Sequence, residues 1–82
     1  MANVPLSKLR AGTAATVTRV RAPMGRPDEQ LVRRLIEIGF LPGEPVRVMA
    51  RAPGDEPIAV RIGRSIFALR RFEADFVDVE AA

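Results

Sequence analysis

Few side chains in this 82-residue sequence could do chemistry. It contains no histidine and no cysteine, and the candidates that remain are the carboxylates, Lys8 and two serines, Ser7 and Ser65. Catalysis near neutral pH requires a tuned histidine, cysteine or lysine, or two carboxylates that converge in a cleft. Neither serine has an imidazole available to activate it. The sequence therefore predicts that the protein is not an enzyme.

Carboxylates near the end of the chain are the candidates for a metal site, namely Glu73, Asp75 and Asp78. Zinc and ferrous iron are normally held with at least some imidazole or thiolate, so carboxylates alone favour only weak binding of a hard cation. Residues 25–30 and 53–57 contain glycine but lack the spacing and the lysine of a phosphate-binding loop. We expect no cofactor and no dedicated metal site.

Positive charge is unevenly distributed along the chain, whose net charge is +3. Residues 1–54 carry nine Lys/Arg against four Asp/Glu, while residues 55–82 carry four against six. Such a charge pattern is typical of a solvated face, of a surface for an acidic partner, or of a nucleic-acid binder. Binding of single-stranded nucleic acid usually needs exposed aromatic residues, whereas Phe67, Phe72 and Phe76 are predicted to lie in the core. The composition favours a module that binds another protein.

One helix and a set of short strands must position these side chains. An apolar stripe with a period near 3.6 predicts a helix from Asp28 to Ile38, with a left-handed stop at Gly39 and Phe40 folded back onto Leu35. The side chains predicted to point outward from this helix are Arg33, Arg34 and Glu37. Pro42 and Gly43 form the sharp corner that follows.

Alternating apolar residues predict five short, mostly antiparallel strands, at residues 13–22, 45–52, 58–62, 65–69 and 76–79. Gly12 is expected to close a short N-terminal helical turn that begins at Pro5, and Gly63 is expected to open a two-residue hairpin loop. The last strand can pair with the first. Together these elements predict a mainly β small barrel with one inserted helix, in a single domain of residues 1–82.

No signal peptide and no apolar run long enough to span a membrane is recognisable in the sequence, and the absence of cysteine fits a reducing compartment. The sequence therefore predicts a cytoplasmic protein.

Four segments in combination resemble the FeoA family: PLSKLRAG, RLIEIGFLPGEPVRV, APGDEPIAVRIGRSIFALR and EADFVDV. The resemblance covers nearly the whole chain, and it implies an SH3-like barrel with an inserted helix. It also implies a small accessory protein of bacterial ferrous iron uptake that acts beside FeoB, a membrane transporter with a cytoplasmic G domain. The family is also described as binding transition metals. Related barrels occur in iron-dependent repressors, so an interaction module of a metal-responsive regulator, or a nucleic-acid-binding barrel, remains the alternative.

The corner after the helix predicts where a partner would bind. Alternation along residues 45–52 directs Arg47, Met49 and Arg51 outward, and the corner brings them near the outward residues of the helix. Methionine, aromatic residues and arginine are enriched in interface cores, so we expect this set, with Phe40, to form the docking surface for FeoB. The alternative is a group of solvated charges around a stray apolar side chain.

Overall fold

The computed structural model describes residues 3–81. Its strands are β1 (Val4–Pro5), β2 (Ala14–Val20), β3 (Pro45–Arg51), β4 (Ile58–Ile62), β5 (Ser65–Leu69) and β6 (Val77–Ala81), and its helices are α1 (Arg26–Ile38) and α2 (Arg71–Ala74). Two 3-10 turns lie at Leu6–Lys8 and Pro53–Asp55. The five predicted strands are present. The sixth, β1, was not predicted, because a strand of two residues is too short to show an alternating pattern. No helix in the described range has the length and apolar character needed to cross a membrane.

All six strands form one antiparallel sheet in the order β1-β6-β2-β3-β4-β5. β6 pairs with β2, as predicted, and Val17 lies opposite Val79. Inward side chains of β2, β3, β4, β5 and β6 share one hydrophobic cluster, which also contains Leu6, Leu35 and Phe40. The sheet must therefore curl around a common core. The predicted mainly β architecture with one inserted helix is confirmed.

The end of α1 follows the predicted backbone pattern. Gly39 has a φ of +123°, and its N–H donates to the carbonyl oxygen of Ile36 at 3.1 Å. The N–H of Phe40 donates to the carbonyl oxygen of Leu35, also at 3.1 Å, which completes a Schellman motif. Leu35 and Phe40 are both fully buried. The expectation that Phe40 contributes to an exposed partner surface is therefore wrong, because the same helix stop turns its ring into the core.

The corner after α1 is a tight turn, closed by the Glu44 N–H donating to the Leu41 carbonyl oxygen at 3.0 Å. Pro42 and Gly43 occupy its two central positions, and the Gly43 φ of +90° is the value that a type II turn requires. Gly43 donates to the Val17 carbonyl oxygen at 2.8 Å, and the Val17 N–H donates to the Glu44 carbonyl oxygen at 2.9 Å. The corner is thus fastened to the middle of β2.

Gly12 and Gly63, the other two glycines predicted to have structural roles, lie in turns of different kinds. Gly63 lies in the predicted two-residue hairpin loop, which leaves Ile62 paired with Ser65. Gly12 does not close the N-terminal helical turn, because that turn ends at Leu9, whose backbone is already extended. Gly12 lies in the following turn, where its N–H donates to the Val48 carbonyl oxygen at 2.7 Å.

β3 departs from simple alternation after its midpoint. Its pairing with β4 shifts register between Val48 and Ala50, and a bulge of this kind reverses the faces of the residues that follow. Ala50 is consequently exposed, although alternation predicts it to be buried. The side chain of Arg51 is only 17% exposed, so its predicted outward orientation is wrong.

Candidate partner-binding surface

The outer face of α1 carries a shallow groove of about 520 Å³. Its lining residues are Pro23, Glu29, Val32, Arg33, Ile36 and Glu37. Ile36 is 44% exposed and Val32 is half-buried, whereas Leu35 is the one residue of α1 that is fully buried. The apolar positions of α1 therefore extend around the helix beyond the stripe that faces the core. We call this feature the α1 groove.

The loop before α1 adds a further apolar side chain near one end of this helix. Met24 follows Pro23 and is 93% exposed. Its backbone N–H donates to the Asp28 carboxylate at 3.1 Å, which ties the loop to the first turn of α1. Pro27 stands within that first turn, where its fixed φ suits the start of a helix. The Met24 side chain is thus presented to solvent by a backbone that is held in place.

Charged residues border the α1 groove. Arg33 and Glu37 are exposed, as predicted, and neither forms an ion pair within residues 3–81. They stand four residues apart on one side of the helix. Both charges are therefore available to a partner, around an apolar centre at Ile36.

Arg34 lies next to this face but has a different role. Its Nη1 donates to Glu73 Oε2 at 2.9 Å, and Glu73 Oε1 accepts the Arg70 N–H at 2.8 Å. The Glu73 side chain is only 11% exposed. Arg34 thus links α1 to the start of α2. Its side chain is 54% exposed and points outward as predicted, but its charge is paired with that of Glu73.

The predicted residues of β3 are divided between structure and surface. Arg51 donates to the carbonyl oxygens of Ser7 and Leu9 at 2.8 and 2.7 Å, and to the Asp55 carboxylate at 3.2 Å. It therefore holds the N-terminal 3-10 turn against β3. Arg47 is exposed and donates to the Gly12 carbonyl oxygen at 2.9 Å, and Met49 is 39% exposed.

The docking of a partner across both α1 and β3 stays a prediction. Within the described residues, no hydrogen bond or ion pair joins the set on α1 to Arg47, Met49 or Arg51. Phe40 lies in the core and the Arg51 side chain is largely buried, so neither belongs to an exposed surface. The part that remains exposed and uncommitted on the helix is Arg33 and Glu37.

The three carboxylates predicted as candidates for a metal site each contact a different partner. Glu73 pairs with Arg34, and Asp75 accepts a hydrogen bond from the Ser7 hydroxyl. Asp78 accepts from Arg19 Nε at 3.0 Å and from Arg21 Nε at 3.1 Å. No group of three or more Asp, Glu, His or Cys side chains in the described range is arranged to hold a metal ion.

Asp78 is the most strongly engaged of these acids. Its side chain is 6% exposed, and burial alone raises the pKa of such a group. The hydrogen bonds and charges of Arg21 and Arg19 outweigh burial, so the pKa of Asp78 lies below its usual value of 3.8. This triad fastens β6 to β2 and leaves no free carboxylate there.

Several exposed apolar residues were not anticipated. Phe72, predicted to lie in the core, is 56% exposed, and Ile66 is 59% exposed. The exposure of Ile36 had a signal in the sequence, because the apolar residues of α1 are too many for one face. No such signal in the sequence indicated the exposure of Met24 or Phe72, since each lies in a segment too short to show a period.

Comparisons with known proteins agree with this fold. A family model described as the FeoA domain matches residues 4–81. The FeoA of Stenotrophomonas maltophilia, solved as a zinc complex and described as a procaryotic SH3 domain protein, is 40% identical, with 98% of this chain and 91% of that chain covered and a TM-score of 0.81. The FeoA protein of Chlorobium tepidum is 33% identical, with 95% and 70% covered and a TM-score of 0.80.

A manganese-dependent transcriptional repressor also contains this fold. It is 26% identical over 98% of this chain but only 42% of the repressor, with a TM-score of 0.79. No protein among the curated sequences matches the chain. The family model spans almost every described residue, and FeoA structures share the SH3-like barrel. The chain therefore belongs to the FeoA family, small SH3-like proteins associated with ferrous iron transport.

Proposed function

We propose that this protein is a cytoplasmic accessory component of ferrous iron uptake that binds the cytoplasmic part of a FeoB-type transporter through the α1 groove. The observation that carries the proposal is a helix whose apolar surface exceeds what the core covers, with Ile36 exposed between Arg33 and Glu37. A domain of this size with no histidine or cysteine is suited to binding rather than to catalysis.

The composition of the α1 groove supports an interface with a protein. Interface cores are enriched in large apolar residues, methionine and arginine, and polar residues surround them. Val32 and Ile36 supply an apolar centre, Arg33 and Glu37 supply charges of both signs, and Met24 extends the apolar area from the preceding loop. Charges of both signs set the orientation of a partner more than they set its affinity.

The test is binding of the purified protein to the soluble cytoplasmic domain of its FeoB, measured by biolayer interferometry. Ile36→Lys places a charge in the apolar centre, and we expect it to weaken binding by about ten-fold or more, as loss of a central contact does. Arg33→Glu is expected to weaken binding by about five-fold and to alter its salt dependence. Arg10→Glu, at an exposed arginine outside the groove, is the matched control.

Circular dichroism establishes that each variant is folded, and ferrous iron uptake in cells that lack the wild-type protein supplies the functional measurement. Uptake should fall with Ile36→Lys and not with Arg10→Glu. Wild-type affinity in a folded Ile36→Lys protein would refute the α1 groove as the docking surface.

The likeness to metal-dependent repressors supports a second candidate, an interaction module of a metal-responsive regulator. It is less favoured because this chain matches whole FeoA proteins but less than half of a repressor. Gene neighbourhood separates the two candidates. A neighbouring gene for a transporter with a G domain supports the first, and a neighbouring gene for a DNA-binding repressor without such a transporter supports the second.

A further inference from the structure

Within residues 3–81, β5 is the last strand of the sheet and has a neighbouring strand on one side only. It pairs with β4 through a two-residue hairpin, with Ile62 opposite Ser65 and Val60 opposite Phe67. In such a hairpin the residues that hydrogen-bond across the pair alternate with those whose N–H and C=O point away. The backbone groups of Ile66 and Ala68 therefore face outward, and no hydrogen bond within residues 3–81 engages them.

Exposed side chains on this strand add an apolar element to the edge. Ile66 is 59% exposed, and Ala68 is also exposed. Across the β4–β5 pair, Arg61 lies directly opposite Ile66 and is exposed on the same face of the sheet. The edge thus offers two free N–H groups, two free C=O groups and an apolar side chain beside a guanidinium.

Positive charge predominates around this edge. From Ile58 to Arg71 the sequence contains four arginines and no carboxylate. Arg64 and Arg70 stand just beyond the two ends of β5, and neither they nor Arg61 form an ion pair in the described part of the chain. Two carboxylates, Glu56 and Glu73, line a groove together with Ala68 and Arg70. Glu73 pairs with Arg34, and Glu56 accepts the Arg71 N–H at 2.7 Å, so arginines still outnumber carboxylates at this edge.

We propose that the β5 edge binds an extended acidic segment of a partner protein, which adds to the sheet as a seventh strand. Backbone hydrogen bonds to Ile66 and Ala68 would supply the affinity, and acidic side chains beside Arg61, Arg64 and Arg70 would supply the selectivity. The β5 edge shares no residue with the α1 groove, and this inference does not depend on the proposed function.

A second copy of this chain fits the edge less well than an acidic segment does. Antiparallel pairing of two β5 strands, centred on Phe67, would use the whole strand and would place Arg64 opposite Arg70 of the partner at both ends. Like charges directly opposite each other in a sheet are destabilising. Arginines at the ends of an edge strand also protect it against self-pairing, yet they attract carboxylates.

The probe is a fluorescently labelled seven-residue peptide of alternating glutamate and valine, blocked at both ends, and binding is measured by fluorescence anisotropy at low salt. Its controls are the alternating lysine and valine peptide and the glutamate peptide methylated at every backbone nitrogen. We expect the glutamate peptide to bind and both controls to bind at least about ten-fold more weakly, because one reverses the charge and the other removes the donors.

Protein variants test the same edge from the other side. Ala68→Pro removes one outward N–H, and edge strands tolerate proline at such a position. It should weaken peptide binding about five- to ten-fold, as expected for one lost hydrogen bond. Ala68→Val keeps the N–H and serves as its control. Arg64→Gln with Arg70→Gln should also weaken binding, whereas Arg26→Gln, which removes an exposed arginine of α1, should not.

Three outcomes would overturn the proposal. Equal binding of the methylated peptide would mean that charge alone is recognised, as in binding of any polyanion, including a nucleic acid. Equal binding of the lysine peptide would show that the arginines do not select an acidic segment. Sedimentation showing a dimer that Ala68→Pro dissociates would assign the edge to a second copy. Ile36→Lys should leave peptide binding unchanged, so failure here and failure of the FeoB-docking proposal can be told apart.

Discussion

Replacing Gly39 with alanine tests the helix stop on which the corner depends. The backbone there has a φ of +123° and a ψ of 13°, a conformation that residues with a Cβ rarely adopt. A Cβ at this position would meet its nearest neighbour, Ile62 Cγ1, at 3.9 Å, which is ordinary contact. Steric crowding therefore contributes little, and the cost of the substitution is backbone strain.

The size of that cost can be worked out from this geometry. Strain at a position of this kind costs about 1–3 kcal/mol. Alanine also restricts the unfolded chain, which offsets about 0.4–1 kcal/mol. The free energy of unfolding should consequently fall by about 1–2 kcal/mol, and the melting temperature of a domain of this size by about 5–15 °C.

Urea and thermal unfolding, followed by circular dichroism, measure this change. Gly25→Ala is the matched control, because Gly25 stands at the other end of α1 with an extended φ of 168° and only Pro27 near its Cβ position, at 3.9 Å. We expect it to change stability by less than about 0.5 kcal/mol. Equal effects of the two substitutions would refute the assignment of the cost to the left-handed backbone at Gly39.

Three further outcomes follow from the contacts described above. Asp78→Asn should lower stability at neutral pH by about 1–2 kcal/mol, a modest value because Arg19 and Arg21 are partly solvated. The pKa of Asp78 is lower in the folded protein than its ordinary value of 3.8. The ionised carboxylate therefore stabilises the fold fully above pH 3.8, and this stabilisation is lost as the pH falls through the folded-state pKa. The unfolding curves of wild type and Asp78→Asn should consequently converge in acid. Arg51→Lys should lower the free energy of unfolding by about 1 kcal/mol, because an ammonium does not reproduce the planar guanidinium that reaches two carbonyl oxygens. Arg47→Lys should lower it by less, since Arg47 reaches one carbonyl oxygen, and denaturant midpoints measure both changes. Calorimetric titration with zinc should reveal no tight one-to-one site, and a tight site lost in Glu73→Gln would contradict this.

Local patterns in the sequence were sufficient to predict most of the fold. The apolar period predicted α1, and the position of Gly39 predicted its end. Pro42-Gly43 and Gly63 predicted two turns. These features could be predicted because each depends on residues only a few positions apart. The pairing of the last strand with the first was also correct. Phe72 was misplaced because α2 has four residues and shows no period.

The candidate surface was less predictable, because its side chains are engaged by distant parts of the chain. Arg34 bonds to Glu73, 39 positions away, and Arg51 bonds to the Ser7 carbonyl, 44 positions away. A bulge in β3, invisible to an alternation pattern, reversed the orientation of Arg51. Residues with no such engagement, Arg33 and Glu37, were correctly predicted to be exposed.

The position of β6 inside the sheet bears on how the protein is made. It is the last strand within residues 3–81, yet it lies between β1 and β2 and contributes Val77 and Val79 to the core. While the chain is being synthesised, β2 therefore has an unpaired edge and the core is open until residues 77–81 leave the ribosome. A nascent chain with unpaired strand edges is prone to aggregate. The domain thus cannot complete its fold before β6 emerges, and chains cut short before residue 77 would be substrates for chaperones and proteases.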